Sequence, residues 1–202
     1  MAYRCASPVA ATPNCDLEVQ GMGHEAREQG EPLKRLFFAL PCADAQRRAI
    51  AQWRRALELS SGRPVPAENF HLTLMFLGSV TVSQIPDICA AAARIRTPDK
   101  LWTVPLNRLD VWHQSNVLLL APAQSPLALR QLVYALQQVL LPLGFVEATR
   151  EFRPHLTLMR DYRAPVPESN TPPDFHLSAR HLTLFESHKG RYRPLAEWPL
   201  VS

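Results

Sequence analysis

The sequence has no apolar segment long enough to cross a bilayer. The longest apolar run, VLLLAPA at positions 117–123, falls far short of the ~20 residues that a membrane helix needs. The N-terminus lacks the continuous apolar segment of a secretory signal, and it is richer in acidic residues than targeting peptides are. These absences predict a soluble, cytoplasmic protein with no membrane partner.

Cysteine is also scarce. The 202 residues include four, which are Cys5, Cys15, Cys42 and Cys89. They form no CxxC pair and lie beside no clustered histidines, so neither a disulfide framework nor a zinc knuckle is indicated. This pattern favours a reducing cytosol and predicts no metal site.

Charge is distributed unevenly along the chain. Positions 1–33 hold two basic and five acidic residues without sustained periodicity, which predicts a disordered extension. An over-long gene start, with Met22 as another initiator, is the alternative. The net charge of the whole chain is +4 and that of the extension is −3, which leaves +7 for the rest. A basic domain suits an anionic partner such as RNA or a phosphate ester.

From position 34 onwards, strand and helix patterns alternate. Apolar spacing predicts helices within 43–61, at 83–95 with Ser83 as the cap, and from Ser125, as cap, to about Gly144. Short apolar or alternating runs predict strands at 35–41, 69–78, 101–112, 116–122, 152–161, 175–187 and 191–200. The strands 101–112 and 116–122 are expected to form a hairpin.

The tetrapeptide HLTL occurs three times, beginning at His71, His155 and His181. The first two copies end the same unit: an apolar strand closed by proline, a helix, and the HLTL strand. Pro41 precedes its motif by 30 residues and Pro122 by 33, which indicates an internal duplication. The third copy has no helix before it and lies outside the repeat, so His181 is expected to be structural.

Each duplicated motif offers one imidazole and one hydroxyl on the same face. Side chains alternate along a strand, so His and Thr two positions apart share one side while both leucines enter the core. Packing of the two halves about a pseudo-twofold axis would place His71 and Thr73 opposite His155 and Thr157, across a cleft.

That arrangement suits in-line displacement at phosphorus. One neutral imidazole takes a proton from water while one imidazolium protonates the leaving oxygen, and the threonine hydroxyls donate to the non-bridging oxygens. We assign His155 as the base and His71 as the acid, although the pseudo-symmetry leaves the two roles interchangeable.

Paired HxT motifs in a duplicated chain resemble the 2H phosphoesterase superfamily. The segments RLFFALP, NFHLTLMFLG, FRPHLTLMRD and LTLFESHKGRYRPLAEWPL together resemble its bacterial RNA 2′,3′-cyclic phosphodiesterases, historically called 2′-5′ RNA ligases. The resemblance spans residues 34–202 and implies a single bilobal α+β domain. In it, two antiparallel sheets flank a central cleft and the helices lie outside.

The resemblance also implies the reaction. A monomer would open the 2′,3′-cyclic phosphate end of an RNA to a 2′-phosphate, without metal or cofactor, and Arg160 after the second motif would help to bind the phosphate. The alternative role for Arg160 is a surface ion pair with Asp161.

Several alternatives remain open. The paired histidines could hold a metal, although the motifs supply no carboxylate or cysteine nearby. The fold could bind nucleotide or RNA without turnover, or act on small cyclic phosphates or 2′-5′ linked oligonucleotides. Four further histidines are expected to do no chemistry: His24, His113, His176 and His188.

Residues around the motifs have two interpretations each. Arg150 and Arg153 add positive potential at the cleft mouth or are merely solvated. Trp102 and Trp112 could stack on a base, but core packing is favoured.

Overall fold

The computed structural model describes residues 31–96, 102–146 and 151–200. The strands are β1 (Leu33–Pro41), β2 (Arg63–Pro64), β3 (His71–Thr81), β4 (Trp102–Leu106), β5 (Arg108–Trp112), β6 (Val117–Ala121), β7 (Leu156–Arg160), β8 (Phe175–Ala179), β9 (His181–His188) and β10 (Arg191–Pro199). The α-helices are α1 (Asp44–Arg55), α2 (Ile85–Ala92) and α3 (Leu127–Leu140). Positions 1–30 of the predicted N-terminal extension lie outside the described residues.

Among the described residues, the strands form two four-stranded antiparallel sheets and one two-stranded sheet. The first sheet has the order β10-β9-β1-β3, the second has the order β2-β7-β6-β5, and β4 pairs with β8. The predicted α+β fold with antiparallel sheets is confirmed, and so is the β5–β6 hairpin, in which Trp112 pairs with Val117. No described helix combines the length and the apolar character needed to span a bilayer.

Two strands predicted as continuous are each divided by one residue. The prediction 101–112 breaks at Asn107, whose Oδ1 accepts a hydrogen bond from the Ala123 N–H at 2.9 Å. The prediction 175–187 breaks at Arg180, whose carbonyl oxygen accepts from the Leu200 N–H at 2.8 Å. At both breaks the chain passes between the two-stranded sheet and a four-stranded sheet. The β4–β8 pair therefore connects the two four-stranded sheets.

Both predicted serine caps are wrong. Ser83 lies in a 3₁₀ turn at 82–84, where its N–H donates to Glu31 Oε1 at 2.7 Å, and α2 begins only after Gln84. Ser125 precedes Pro126, which has extended dihedral angles (φ −59°, ψ 134°), so helical geometry starts at Leu127. In each case the backbone becomes α-helical later than the serine.

One apolar cluster lies under both four-stranded sheets. It combines alternate residues of the strands with the inner faces of the helices, including Leu40, Leu72, Leu120, Leu156, Ile50, Ile88 and Leu136. Because His71 and Thr73 alternate with Leu72 along β3, the helices cover the sheet face opposite to the motif side chains.

The strand register confirms the repeat and corrects its alignment. Leu40 pairs with Leu72 and Leu120 pairs with Leu156, so β1 and β6 hold equivalent places beside the two motifs. Pro41 pairs with His71, which makes Ala121 its counterpart rather than Pro122. Pro122 lies beyond the ladder, where its missing N–H costs no strand hydrogen bond.

Candidate active site

Both motifs show the predicted alternation of exposed and buried side chains. Leu72 and Leu74 of β3 are fully buried, while His71 and Thr73 are half-buried on the opposite face. In the second motif, Leu156 and Leu158 are buried and His155 and Thr157 are half-buried. His155 lies one residue before β7 begins.

A β-bulge interrupts the alternation at the same place in both motifs. In the ladder with β1, Leu74 is the extra residue between Thr73 and Met75. In the ladder with β6, Leu158 is the extra residue between Thr157 and Met159. A bulge shifts the side-chain alternation by one position.

The bulge explains which later residues face the cleft. Met75 and Met159 are buried in the core, and the residues that follow them, Phe76 and Arg160, are exposed. Strict alternation from His155 would instead have placed Arg160 on the core side. Phe76 and Arg160 thus hold equivalent positions, five residues after their histidines, but differ in chemistry.

The two imidazoles are held by the same backbone hydrogen bond. Nδ1 of His71 lies 2.7 Å from the Asn69 carbonyl oxygen, and Nδ1 of His155 lies 2.8 Å from that of Arg153. A carbonyl can only accept, so Nδ1 carries the proton in both rings. Nε2 of each neutral ring is therefore left as the basic nitrogen that can exchange a proton with a substrate.

Nε2 of His71 already has a partner. It lies 2.9 Å from Thr73 Oγ1, which must donate its hydroxyl proton while the ring is neutral. The ring also packs among aromatic side chains, with centroids 5.1 Å from Phe37 and 5.0 Å from Tyr192.

A cavity of about 600 Å³ brings the predicted site residues together. Its wall contains His71, Thr73, His155, Thr157 and Arg160. Strands β3 and β7 lie against each other, so the two motifs meet although 84 positions separate their histidines. The geometric expectation of one shared cleft is met, whereas the chemical roles of these residues remain predictions.

The environment of both rings opposes protonation. Burial is the main cause that lowers the pKa of His71 to about 4; the hydrogen bond to Asn69 opposes this effect, and the charges of His155 and Arg160 add to it. Burial also lowers the pKa of His155, with further lowering by Arg153 and Arg160. In the ligand-free site His71 is therefore neutral at pH 7.

Arg160 does not form the ion pair weighed as its alternative role. Asp161 pairs instead with Arg63, at 2.6 Å between Nη2 and Oδ2. The Arg160 side chain is exposed and lines the cavity, where it raises the local positive potential.

Sequence reasoning missed other residues of the cavity wall. Arg35 in β1 and Tyr192 in β10 both line it. Alternation along RLFFALP could have placed Arg35 on the motif face, because Arg35, Phe37 and Ala39 share one side of β1 and Ala39 pairs with Thr73. Tyr192 had no such signal, since its position depends on the β9–β10 pairing.

Other candidates fall outside this cavity or outside the described residues. His181 is exposed at the start of β9, and its ring is absent from the cavity wall. His113 lines a second cavity of about 850 Å³, which shares His155, Trp112 and Phe76 with the first. The structure does not describe His24, Arg150 or the side chain of Trp102.

The described residues contain no group of three or more His, Cys, Asp or Glu side chains that could hold a metal ion. A two-imidazole pair alone supplies too few ligands for a structural zinc site.

Comparisons with known proteins identify the family of this chain. A family model described as "LigT like Phosphoesterase" matches residues 40–118. The RNA 2′,3′-cyclic phosphodiesterase of Escherichia coli (strain K12) is 36% identical over 175 residues, which cover 83% of this chain and 97% of that protein.

Solved structures show the same relationship. The crystal structure of E. coli LigT complexed with 3′-AMP matches with a TM-score of 0.75 and 34% identity, covering 85% of this chain and 100% of that one. TT0787 of Thermus thermophilus shares the fold, with a TM-score of 0.69 at 22% identity, covering 82% of this chain and 97% of that one. This chain belongs to the LigT-like phosphoesterases of the 2H superfamily.

Proposed function

We propose that this protein hydrolyses the 2′,3′-cyclic phosphate end of an RNA to a 2′-phosphate, without metal, through His71 and His155. The observation that carries the proposal is the single cavity lined by both histidines, both threonines and Arg160. The E. coli relative is named RNA 2′,3′-cyclic phosphodiesterase, and E. coli LigT has been crystallised with 3′-AMP.

The reaction needs one proton taken and one proton given. Water attacks phosphorus, its proton goes to Nε2 of the neutral histidine, and the bond from phosphorus to O3′ breaks. The second histidine, protonated at Nε2, gives its proton to the departing O3′. Thr157 and Arg160 hold the non-bridging oxygens, on which negative charge concentrates in the transition state. Thr73 joins them once its one hydroxyl proton turns from His71 Nε2 towards the phosphate.

The electrostatics favour the reverse of the base and acid roles that were assigned from the sequence. His71 is neutral in the free site, and Thr73 donates to its Nε2, so this nitrogen already acts as an acceptor. We therefore propose His71 as the base and His155 as the acid. The anionic phosphate raises the pKa of the acid when it binds, because a nearby negative charge stabilises imidazolium.

The proposal extends to the partner and the cellular setting. One chain supplies all five of these residues, which supports a monomer as the active form. RNA ends are available in the cytoplasm, which we propose as the place of action.

An oligonucleotide ending in a 2′,3′-cyclic phosphate, incubated with the protein in EDTA, tests the activity. We expect a 2′-phosphate product, which chromatography separates from the 3′ isomer. His71→Ala and His155→Ala should each lower kcat by about 10² to 10⁴, the usual contribution of one acid or base. His181→Ala, the matched control in the third HLTL copy, should leave kcat unchanged.

Two outcomes would contradict the proposal. Loss of activity with chelator would indicate a metal enzyme, and tight binding without turnover would indicate a binding module. Turnover confined to small cyclic phosphates or 2′-5′ linkages would correct the substrate.

A substrate with sulfur in place of O3′ assigns the two roles. A thiolate leaves without a proton, because its conjugate acid has a pKa of about 8.5. This substrate should restore the rate of the variant that lacks the acid, which we expect to be His155→Ala, and leave His71→Ala slow.

A further inference from the structure

Trp112 contacts the second imidazole from outside the motif. It is the last residue of β5, and the centroid of its indole lies 4.3 Å from that of His155, with the ring planes tilted by 54°. The Arg153 guanidinium lies 4.7 Å from the same indole, while the Arg153 carbonyl accepts the hydrogen bond from His155 Nδ1. The imidazole is thus held at one nitrogen by the backbone and along its ring by Trp112.

The indole itself is firmly supported. Trp112 pairs with Val117 across the hairpin and packs on a small apolar cluster formed by Val117, Leu119 and Ala121. The indole N–H is buried and has no hydrogen-bond partner among the described residues. An unsatisfied buried donor destabilises the fold. Because no hydrogen bond orients the indole, packing of the ring faces sets the position of Trp112.

The two histidines differ in how they are held. His71 has the Thr73 hydroxyl at Nε2 and two aromatic neighbours, Phe37 and Tyr192, within 5.1 Å. For His155, the structure gives one aromatic contact within the described residues, Trp112. Beyond the backbone hydrogen bond at Nδ1, the orientation of the second imidazole therefore depends on a single ring.

We propose that Trp112 is a positioning residue that fixes the direction in which His155 presents Nε2 to the reacting phosphorus. This inference rests on the proposed function of His155. Trp112 also lines both cavities, so it lies where the two adjoin. Misplacement of a reacting group by ~1 Å can cost about 10²-fold in rate, so the effect should fall on kcat rather than on KM.

The first arm of the test compares two substitutions of Trp112. Trp112→Phe retains an aromatic face and should keep kcat within about threefold, whereas Trp112→Leu should lower kcat by about 10- to 100-fold with little change in KM. Trp198→Leu is the matched control, because Trp198 packs on Phe38 away from the cavity. It should leave kcat unchanged once folding is confirmed by urea unfolding.

The second arm uses NMR and needs no activity. In the unmodified protein, the indole protons should show nuclear Overhauser contacts to the His155 ring. Burial is the main cause of the lowered pKa of His155, so Trp112→Leu should move that pKa towards its ordinary value. The charges facing the ring, on Arg153 and Arg160, are unchanged in the variant, and the titration of the neighbouring His71 should stay in place.

The outcomes separate the inference from the proposed function. Absence of the Overhauser contacts, or a folded Trp112→Leu protein with unchanged kcat, would overturn the positioning role. Equal losses in the Phe and Leu variants would do the same. An inactive unmodified protein that still shows the contacts would refute the proposed function and leave the arrangement of Trp112 and His155 standing.

Discussion

Replacement of His71 should change how the stability of the protein depends on pH. The folded state lowers the pKa of this ring to about 4, mainly by burial, while the unfolded chain has an ordinary histidine pKa near 6.5. Between these pH values the His71 ring is protonated in the unfolded chain and neutral in the folded protein. Stability is therefore fully present above about pH 6.5 and is lost as the pH falls towards about 4.

The magnitude follows from the shift. About 2.5 units at 1.36 kcal/mol each correspond to roughly 3 kcal/mol in full. On acidification, roughly half of this stability is lost by about pH 5.5 and most of it by about pH 4.5. For a domain of this size, 3 kcal/mol corresponds to a fall in Tm of about 6 to 12 °C.

His71→Asn removes the titrating group and keeps an amide that can donate to the Asn69 carbonyl. Urea unfolding at several pH values, followed by circular dichroism, should show that the variant loses less stability on acidification than the unmodified protein. His181→Asn makes the same change in the third HLTL copy, at an exposed site, and should follow the unmodified curve. Parallel curves for His71→Asn and the unmodified protein would refute the argument that the His71 ring is held neutral by burial.

Four further substitutions have defined outcomes. Arg35→Gln and Arg160→Gln should each raise KM for the cyclic phosphate by roughly tenfold, the equivalent of one charge-assisted hydrogen bond, with smaller salt dependence in steady-state assays. Arg54→Met should destabilise the protein by about 2 kcal/mol in urea titrations, because Arg54 Nη1 donates to the carbonyl of the bulge residue Leu158 at 2.9 Å. Gly62→Ala should lower Tm, since Gly62 has a φ of +86° and an added Cβ would meet the Arg160 carbonyl oxygen at 2.9 Å; an unchanged Tm would contradict this close approach.

The sequence predicted the parts of the fold that depend on local pattern. The period-two alternation around His71 and His155 identified both motif strands and the faces that the side chains occupy. Helical spacing located α1, α2 and α3. The repeat then brought the two motifs into one cleft, because equivalent units form equivalent sheets.

Features that depend on contacts between distant segments were not predicted. Asn107 and Arg180 break their strands because distant backbone N–H groups bind there, from Ala123 and Leu200. The N-caps of α2 and α3 were predicted at the wrong residues, because backbone geometry rather than residue preference determined where each helix begins. Arg35 was overlooked although its strand face was accessible to the same alternation argument.

The extra residue in each HLTL strand has a consequence for how this site can vary. Deleting Leu158 would restore an unbroken pleat without changing these faces: Met159 would take the buried place of Leu158, and Arg160, then four positions after His155, would still face the cleft. The cleft-facing cation therefore requires an odd count of residues after the histidine when the bulge is present and an even count when it is absent. Loss of the bulge with every residue retained would instead turn Met159 towards the cleft and Arg160 into the apolar interior, where a guanidinium has no counterion, and so remove a charge from the pocket without any change of sequence.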